Sequence, residues 1–409
     1  MIIESAPPPG CPKRPGGRPP PPRAWHAWLA ALPFVASGCA SYHAAPLAPQ
    51  RSAEVFAARR LDDGRVRAMV ARLLPGRGAA WPPPAWNRAQ LLAAALVFNP
   101  DLAVTRAEVR AVVVRERAAT LPPNPDLTLR SEYARHDVNP WLYGLSVDWL
   151  LRSRSRRSLR LRIARLDASG AELRLMDRIW SVRASLDQAL SAARAARLHL
   201  RLVRERGAAI AQLLELQQSR VAAGEDPPGE LFVLQQAREA GVQREAELRG
   251  QATLADAALA RALGLPQRAL DGLHVSWPDW GDPPAIAPRS LGRATERALL
   301  SRADLGAAIA AYDASEARLR LEVARQYPQF RLGPGYYWDH GIAKFPFDLG
   351  FTLPLDRNAP AIAAARAQRD LAGARMLALQ ATIQQRIGTA RRAEAGARIE
   401  LAAARRRLA

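Results

Sequence analysis

Cysteine and lysine are almost absent from this chain of 409 residues. Both cysteines, Cys11 and Cys39, lie near the N-terminus, so the remaining residues hold no disulfide and no thiolate metal site. This excludes a zinc finger and an enzyme with a cysteine nucleophile. Lys13 and Lys344 are the only lysines, and the net charge of +21 at pH 7 comes from arginines spread along Ala- and Leu-rich stretches. Nucleic-acid binding is not predicted, because it would need a clustered patch on a recognition fold.

Catalytic motifs are also lacking. The six histidines are isolated, and the sequence has no phosphate-binding glycine loop, no nucleophile elbow and no paired-carboxylate motif. We therefore predict no catalytic residue, no cofactor and no metal site, and expect that the chain is not an enzyme. His136-Asp137 and Asp339-His340 fall in predicted loops. Metal contact there is the alternative to ordinary loop polarity.

Beyond residue 39, no uncharged apolar run has the roughly 18 to 20 residues of a membrane-spanning helix. The N-terminus itself has the parts of an export signal: arginines, a short apolar segment from Ala24 to Val35, and small residues before Cys39. Ser37-Gly38-Cys39 resembles a bacterial lipobox, although Ala36 is smaller than usual there and the preceding region is unusually long. We predict a lipoprotein signal over 1–38 and lipidation of Cys39. The alternative is an ordinary cysteine in a disordered tail.

The body of the chain is duplicated. Asn99-Pro100-Asp101-Leu102 matches Arg302-Ala303-Asp304-Leu305 at an offset of 203 residues, and Pro125–Leu129 matches Pro328–Leu332 at the same offset. Each unit is predicted as helix, strand, loop, strand and long helix. The predicted division is a linker and anchor segment over 39–86, a first repeat over 87–266, a linker over 267–290 and a second repeat over 291–409.

The predicted strands alternate apolar with polar or small residues. They cover about 126–133 and 142–150 in the first repeat, and about 329–337 and 345–355 in the second. One aromatic-rich apolar face over about ten residues is typical of a transmembrane β-barrel strand, and a half-buried soluble sheet is the alternative. The residues predicted to face lipid are Tyr143, Leu145, Val147, Trp149, Phe347, Leu349, Phe351 and Leu353.

Long helices follow the strands. No proline occurs between Arg154 and Arg220, which allows a helix of roughly 100 Å. A turn at 223–228 and a second helix over 229–263 make a helical hairpin over 154–264, and another long helix begins at about 359. The near-heptad spacing of apolar residues predicts a coiled-coil seam, formed by Leu159, Ile163, Leu166, Leu173, Met176 and Trp180.

Arginines cluster directly after the second strand of the first repeat. If the strands span a membrane, this cluster lies near the headgroups; a solvated helix start is the alternative. Its members are Arg152, Arg154, Arg156, Arg157 and Arg160.

From about Trp86 onward, the sequence resembles the TolC-like outer-membrane efflux proteins of Gram-negative bacteria, in their lipid-anchored subgroup. The motifs that carry the resemblance are Asn99-Pro100-Asp101-Leu102, Leu121-Pro122-Pro123, the Leu259–Pro266 segment, Arg302-Ala303-Asp304-Leu305 and Tyr327-Pro328-Gln329-Phe330. The resemblance implies a mixed α+β membrane protein: a homotrimer with four strands per subunit in a 12-stranded transmembrane β-barrel, and a long periplasmic α-helical coiled-coil barrel. It implies a passive duct for drugs or metal ions, located in outer-membrane lipid and served by a periplasmic adaptor and an inner-membrane pump.

The resemblance also implies a role for the hairpin tip, which contacts the adaptor in this family. Gly224 matches the tip glycine, and Leu231 and Gln235 match the start of the returning helix, although Glu225 and Asp226 replace the usual apolar neighbours. The second repeat lacks a returning helix, so we expect either a fragment or truncated gene product, or a degenerate member of the family. A soluble or periplasmic coiled-coil scaffold without transport activity is the alternative function.

Overall fold

The computed structural model describes residues 42–75, 80–136, 138–151, 153–277 and 301–408, together with Gly292, Glu296 and Arg297. The predicted signal, Cys39, Arg152, Asp137 and most of the second linker lie outside these residues. The chain divides into two compact units, residues 1–54 and 55–409. In the described parts the helices are α1 (Pro49–Ala57), α2 (Gly64–Leu73), α3 (Arg88–Phe98), α4 (Pro100–Thr120), α5 (Arg154–Ala222), α6 (Gly229–Leu263), α7 (Ala303–Arg325) and α8 (Ala359–Leu408).

The strands lie between the helices in both halves. They are β1 (Asp126–Tyr133) and β2 (Trp141–Leu150) in the first half, and β3 (Phe330–Asp339), β4 (Ile342–Lys344) and β5 (Phe347–Phe351) in the second. The order α4-β1-β2-α5 thus returns as α7-β3-β4-β5-α8. Because both halves carry the same element order, the predicted mixed α+β fold with an internal duplication is confirmed.

Side-chain caps set the helix starts in the first half. Asn87 and Gln90 bond each other's backbone N–H groups at 2.9 Å, which makes a capping box at the start of α3. Asn99 accepts from the N–H groups of Asp101 and Leu102 and caps α4, which has Pro100 at its first position. The Asn99 amide also donates to the Ala262 carbonyl at 3.1 Å. One asparagine therefore starts α4 and ties it to the end of α6.

The core lies where α3 meets the middle of α5 and the end of α6. Leu91 of α3, Leu186 and Leu190 of α5 and Leu259 and Leu263 of α6 are almost completely buried in one cluster. On α5 the members of this cluster are Val182, Leu186, Ala189 and Leu190, and the partly buried Leu175 and Ile179 pack against it.

The predicted seam on α5 is wrong at its C-terminal end. Met176 and Trp180 are 55% and 60% exposed, because Leu175 and Ile179, one residue earlier in each case, face the core. A helix turns by 100° per residue, so this shift of one position moves the buried stripe away from both side chains.

The two helices of the hairpin, α5 and α6, stay together far from this core. Arg197 pairs with Asp256 at 2.6 Å, and Arg204 pairs with Glu245 at 2.8 Å. Farther out, a cleft of about 260 Å³ lies between the helices beside Gly207 and Gly241. No heavy atom lies within 4 Å of the position that a Cβ would take at either glycine. The hairpin is therefore loosely packed at this level.

The sheet is antiparallel throughout, with β2 between β1 and β3, while β4 and β5 both pair with β3. The strand predicted over 345–355 is too long, since only residues 347–351 of it form a strand and β4 precedes it. Pro346 has no N–H to donate, and residues 345–346 leave the ladder between β4 and β5. The Pro346 carbonyl still accepts from the Gly335 N–H at 2.9 Å. β4 and β5 thus form one interrupted strand line beside β3.

No helix in the described part of the chain combines the length and the apolar character that a membrane crossing requires.

Candidate functional site

The two faces of the sheet differ sharply in chemistry. Residues opposite each other in the register lie on the same face: Leu129 opposes Leu145, Leu145 opposes Tyr336, and Leu332 opposes Leu349. The remaining apolar positions on this face follow the same register. They are Leu127, Tyr133, Trp141, Tyr143, Val147, Trp149, Phe330, Pro334, Trp338, Phe347 and Phe351. The sequence alternation therefore becomes one continuous apolar face across four strand lines.

This apolar face is uncovered. Leu129 is 74% exposed and Phe347 is 65% exposed, and neighbouring rings contact one another instead of a second layer, as in the stacked pair of Tyr143 and Trp338. Of the eight residues predicted to face lipid, seven lie in β2 or β5 on this face, all exposed except the half-buried Val147. Leu353 is also exposed, but it lies beyond the end of β5, so its assignment to a strand is wrong.

The opposite face is polar and carries closely packed glycines. Asp126 lies directly opposite Asp148, a pairing of like charges that requires water nearby. A Cβ at Gly144 would lie 2.3 Å from Tyr337 Cδ1 and 2.4 Å from the Tyr336 carbonyl oxygen. A Cβ at Gly333 would lie 3.0 Å from an Asp148 carboxylate oxygen. Glycines thus make room for polar and aromatic side chains on this polar face.

The junction of the sheet with the helices depends on Arg156. Its guanidinium is buried and donates to the Ala324 carbonyl at 2.8 Å and to the Tyr327 carbonyl at 2.6 Å, at the end of α7. The Arg156 guanidinium is therefore occupied within the protein, because the carbonyls at a helix C-terminus attract a cation; the location of the cluster near headgroups stays a prediction. Arg154 and Arg157 of the same cluster are exposed.

Asn358 also binds the C-terminal end of α7. Its amide donates to the Glu322 carbonyl at 2.9 Å, and its backbone has a positive φ of 55°. The starts of both long helices, α5 and α8, are thus bonded to the last turn of α7.

The helices that precede the strands in the two halves, α4 and α7, begin differently. In place of the Asn99 cap, Arg302 pairs with Asp304 through two bonds of 2.9 and 2.7 Å. This pairing lowers the pKa of the Asp304 carboxyl and raises that of Arg302. Burial, followed by the nearby Asp304 charge, raises the pKa of Asp177 on α5. A local ion pair therefore replaces the neutral cap of the first half.

The hairpin tip is a polar turn. The N–H of Glu225 bonds the Arg220 carbonyl at 2.9 Å and that of Gly224 bonds the Val221 carbonyl at 3.0 Å, which closes α5 with a Schellman motif. Gly224 has the required positive φ of 76°, and the space around its Cβ position is open. The backbone conformation of the turn therefore accounts for a glycine at this position, and the surface around it is accessible.

Acidic side chains dominate the tip. Gln217 and Arg220 hold Asp226 at 3.0 and 3.2 Å, and Arg220 lies 3.7 Å from Glu225. Phe232, 60% exposed, follows on α6. The tip thus presents a fixed acidic loop beside an exposed aromatic ring.

Among the described residues, no three His, Cys, Asp or Glu side chains are grouped so that they could hold a metal ion. His340 bonds the Asn139 carbonyl through Nδ1 at 2.6 Å, and Asp339 pairs with Lys344 across the loop. The sequence does not predict the bonds of Arg156 and Asn358 to the end of α7, because their partners are more than 160 and more than 30 residues away and neither shows a local motif.

Residues 91–265 match the sequence profile of a family described as outer membrane efflux protein. No curated protein sequence matches the chain at a significant level.

Several solved structures share the fold. A membrane protein from Pseudomonas aeruginosa is 21% identical with a TM-score of 0.59, covering 73% of this chain and 74% of its own. The outer membrane protein VceC from Vibrio cholerae is 18% identical with a TM-score of 0.58, covering 72% and 75%. The CmeC outer membrane channel from Campylobacter jejuni is 13% identical with a TM-score of 0.59, covering 72% and 68%.

Proposed function

Because residues 91–265 match the profile of the outer membrane efflux protein family, we propose that this chain is the outer-membrane duct of a tripartite efflux system. In this role it passively exports small molecules, drugs or metal ions, when it is joined to a periplasmic adaptor and an inner-membrane pump. The observation that carries the proposal is the uncovered apolar face, aligned across four strand lines and opposed by a polar face. A sheet of this kind separates lipid from water.

The open edges of the sheet support a trimer. In the described residues, the outer edge of β1 and the outer edges of β4 and β5 have no strand partner. Unpaired backbone groups are not tolerated in lipid, so the edges must meet other copies. Three copies with four strand lines each would close a barrel of twelve. A soluble scaffold would need another layer to cover the apolar face.

Lipidation of Cys39 would add an anchor. A single acyl chain binds a membrane only weakly, and a barrel supplies the second attachment. The polar helices would then extend into the periplasm from the sheet.

We expect the protein, extracted from the outer-membrane fraction with mild detergent, to have the mass of three subunits of at most 44.6 kDa each by light scattering. Mass spectrometry of the N-terminal peptide of the same sample should show acyl groups on Cys39. A protein that fractionates as a soluble monomer would contradict the duct and support the scaffold.

The adaptor is proposed to contact the hairpin tip at Gly224. Replacement of Gly224 by asparagine keeps the positive φ accessible and adds a side chain to an open surface. We expect adaptor affinity to fall on the order of tenfold, about 1.4 kcal/mol. Cellular accumulation of ethidium and of copper ions, which serve as probes for drugs and metals, should rise in cells that have no other duct.

Gly272→Asn is the matched control for this tip variant. Gly272 has a positive φ of 72° and equally open space, but lies at the other end of the hairpin. Equal accumulation of ethidium and copper ions in the two variants would show that Gly224 does not contact the adaptor and serves only the turn.

A further inference from the structure

Four helices pack side by side in the order α4, α5, α7 and α8. They follow the order of the sheet, since α4 precedes β1, α5 follows β2, α7 precedes β3 and α8 follows β5. Among the described elements, α4 packs mainly against α5, and α8 packs mainly against α7. The two helices at the ends of this row therefore each keep an open outer face, just as β1 and β5 keep open edges.

The outer face of α4 carries a regular apolar seam. Residues on the inner face, such as Leu102, Thr105 and Val112, are buried or half-buried. Exposed apolar residues recur on the other face at alternating gaps of 3 and 4, the spacing of a coiled-coil seam, and Val114 among them is 61% exposed. A contiguous exposed apolar patch of this kind marks an interaction surface. The outer seam of α4 consists of Val104, Ala107, Ala111, Val114 and Ala118.

The internal duplication shows what such a seam packs against. The residues 203 positions later lie on α7, the counterpart of α4, and all of them are buried. One of them, Ala310, faces α5, because its Cβ lies 3.5 Å from the Cβ position of Gly170. Within the chain, this seam thus packs against the long helix that follows the neighbouring strand of the sheet. The buried residues are Ala307, Ala310, Ala314, Ala317 and Leu321.

The counterpart of α5 is α8, and the outer face of α8 carries a matching seam. Alanines and one leucine recur there at the same alternating gaps, and all of them are exposed. The distance between two packed helices depends on the side chains at their contact, so alanines allow a close approach. The outer seam of α8 consists of Ala364, Ala367, Leu371, Ala374 and Ala378.

We propose that the outer seam of α4 docks onto the outer seam of α8 in a second copy of this chain. The contact repeats between two copies the packing of α7 on α5 within one copy. It also continues the boundary proposed for the sheet, because the open edge of β1 would meet the open edge of β5 at the same place. The closure of three copies into a ring rests on the duct proposed above, whereas the docking of two copies follows from the duplication.

The two seams lie at the same height when the sheets of two copies are level. Glu116 of α4 lies 3.9 Å from Arg165 of α5, and Arg369 of α8 lies 3.7 Å from Glu316 of α7. At this height Arg318 of α7 bonds the carboxylate of α5 two residues after Arg165, at 2.6 Å. These bonds place Glu116 and Arg369 within about one helical turn of the same height.

At this height the seams are complementary in size. The two helices run in opposite directions, because α4 enters the sheet and α8 leaves it. Leu371 of one copy then faces Ala111 of the other, and Val114 faces Ala367. Each larger side chain therefore meets an alanine, which is how packed helices interdigitate.

The charges beside the seams are complementary as well. Arg110 and Glu108 flank the outer seam of α4, and Asp370 and Arg375 flank that of α8, all of them exposed. In the same antiparallel arrangement, Arg110 meets Asp370 and Glu108 meets Arg375. Asp370 also bonds Arg369 on its own helix at 2.7 Å, but its side chain is 61% exposed and its carboxylate can accept a second donor. Charges in these flanking positions determine the partner and the orientation of coiled-coil helices.

The test is disulfide formation between full-length chains in intact cells. One chain carries Ala111→Cys and a second, co-expressed chain carries Leu371→Cys. After mild oxidation, we expect the protein to shift from the mass of one chain to that of two on a non-reducing gel, because the docked Cβ atoms reach the roughly 4 Å that a disulfide requires. Ala111→Cys with Ala404→Cys is the matched control, since Ala404 is also exposed on α8 but lies about 50 Å farther along its axis. The parent chain shows any product of its own cysteines.

Light scattering of the same sample in mild detergent distinguishes this proposal from the duct. Cross-linking within a trimer supports both, and cross-linking within a soluble dimer supports the docking but contradicts the duct. A trimer from the outer-membrane fraction in which the Leu371 pair yields no more product than the Ala404 pair overturns the docking and leaves the duct intact. A monomer without the product overturns both, and a disulfide to a different protein assigns the seam to another partner and overturns the docking.

Discussion

Replacing Gly264 by alanine is expected to destabilise this protein by about 3 to 5 kcal/mol, among the largest effects of any single substitution. Gly264 ends α6 with a positive φ of 74°, which costs a residue with a Cβ about 1 to 2 kcal/mol. The new Cβ would also lie 2.4 Å from the Phe98 carbonyl oxygen and 2.9 Å from Asn99 Cα. These are backbone atoms, so the end of α6 would have to separate from the junction of α3 and α4.

That separation would break several bonds at once. Arg59 donates to the carbonyls of both Phe98 and Gly264, at 3.1 and 2.9 Å, and Asn99 donates to Ala262. The measurement is the thermal unfolding midpoint in detergent. Gly250→Ala on the same helix is the control: its Cβ meets no atom within 4 Å, so alanine should raise stability by about 0.5 to 1 kcal/mol. Equal midpoints for the two variants would refute the close packing at Gly264.

Leu129→Arg is expected to prevent assembly in the membrane, whereas Thr128→Arg should be tolerated. The two residues are neighbours on β1, both are exposed, and they lie on opposite faces of the sheet. An arginine on a lipid-facing position near the middle of a membrane costs about 2 to 4 kcal/mol, while a water-filled face accepts it. The amount of trimer in the outer-membrane fraction measures the difference.

The comparison works because each variant adds the same side chain to the same edge strand. If Leu129→Arg accumulates in the outer membrane as well as Thr128→Arg does, the apolar face is not a lipid face. If both variants fail, the strand is sensitive to any arginine, and the assignment of faces is refuted as well.

The fold class could be predicted from the sequence because its main signals are local. Three signals can be recognised without knowledge of distant contacts. They are a period of two in residues 143–149, a long stretch without proline after Arg154, and a second copy of both patterns about 203 residues later. Gly224 and Gly264 follow from local helix-ending rules, and the structure gives both a positive φ.

What depends on distant contacts could not be predicted. The burial of Arg156 is determined by carbonyls of α7, and the buried stripe on α5 is determined by α3 and α6, so Met176 and Trp180 were placed one position away from the true seam. The gap at residues 345–346 is an exception, because a proline inside a predicted strand is a local signal of interruption.

The bonds at the end of α7 have a mechanical consequence. Arg156 connects α5 to this helix end, Asn358 connects α8 to it, and β3 begins three residues after Tyr327. A displacement of either long helix at this level therefore acts directly on a strand of the sheet, so helices and sheet form a stiff joint. Bending of the hairpin requires the least free energy where its helices pack loosely. Gly207 and Gly241 mark that level, which lies between the joint and the hairpin tip. The protein thus keeps rigidity near its sheet and compliance toward its tip.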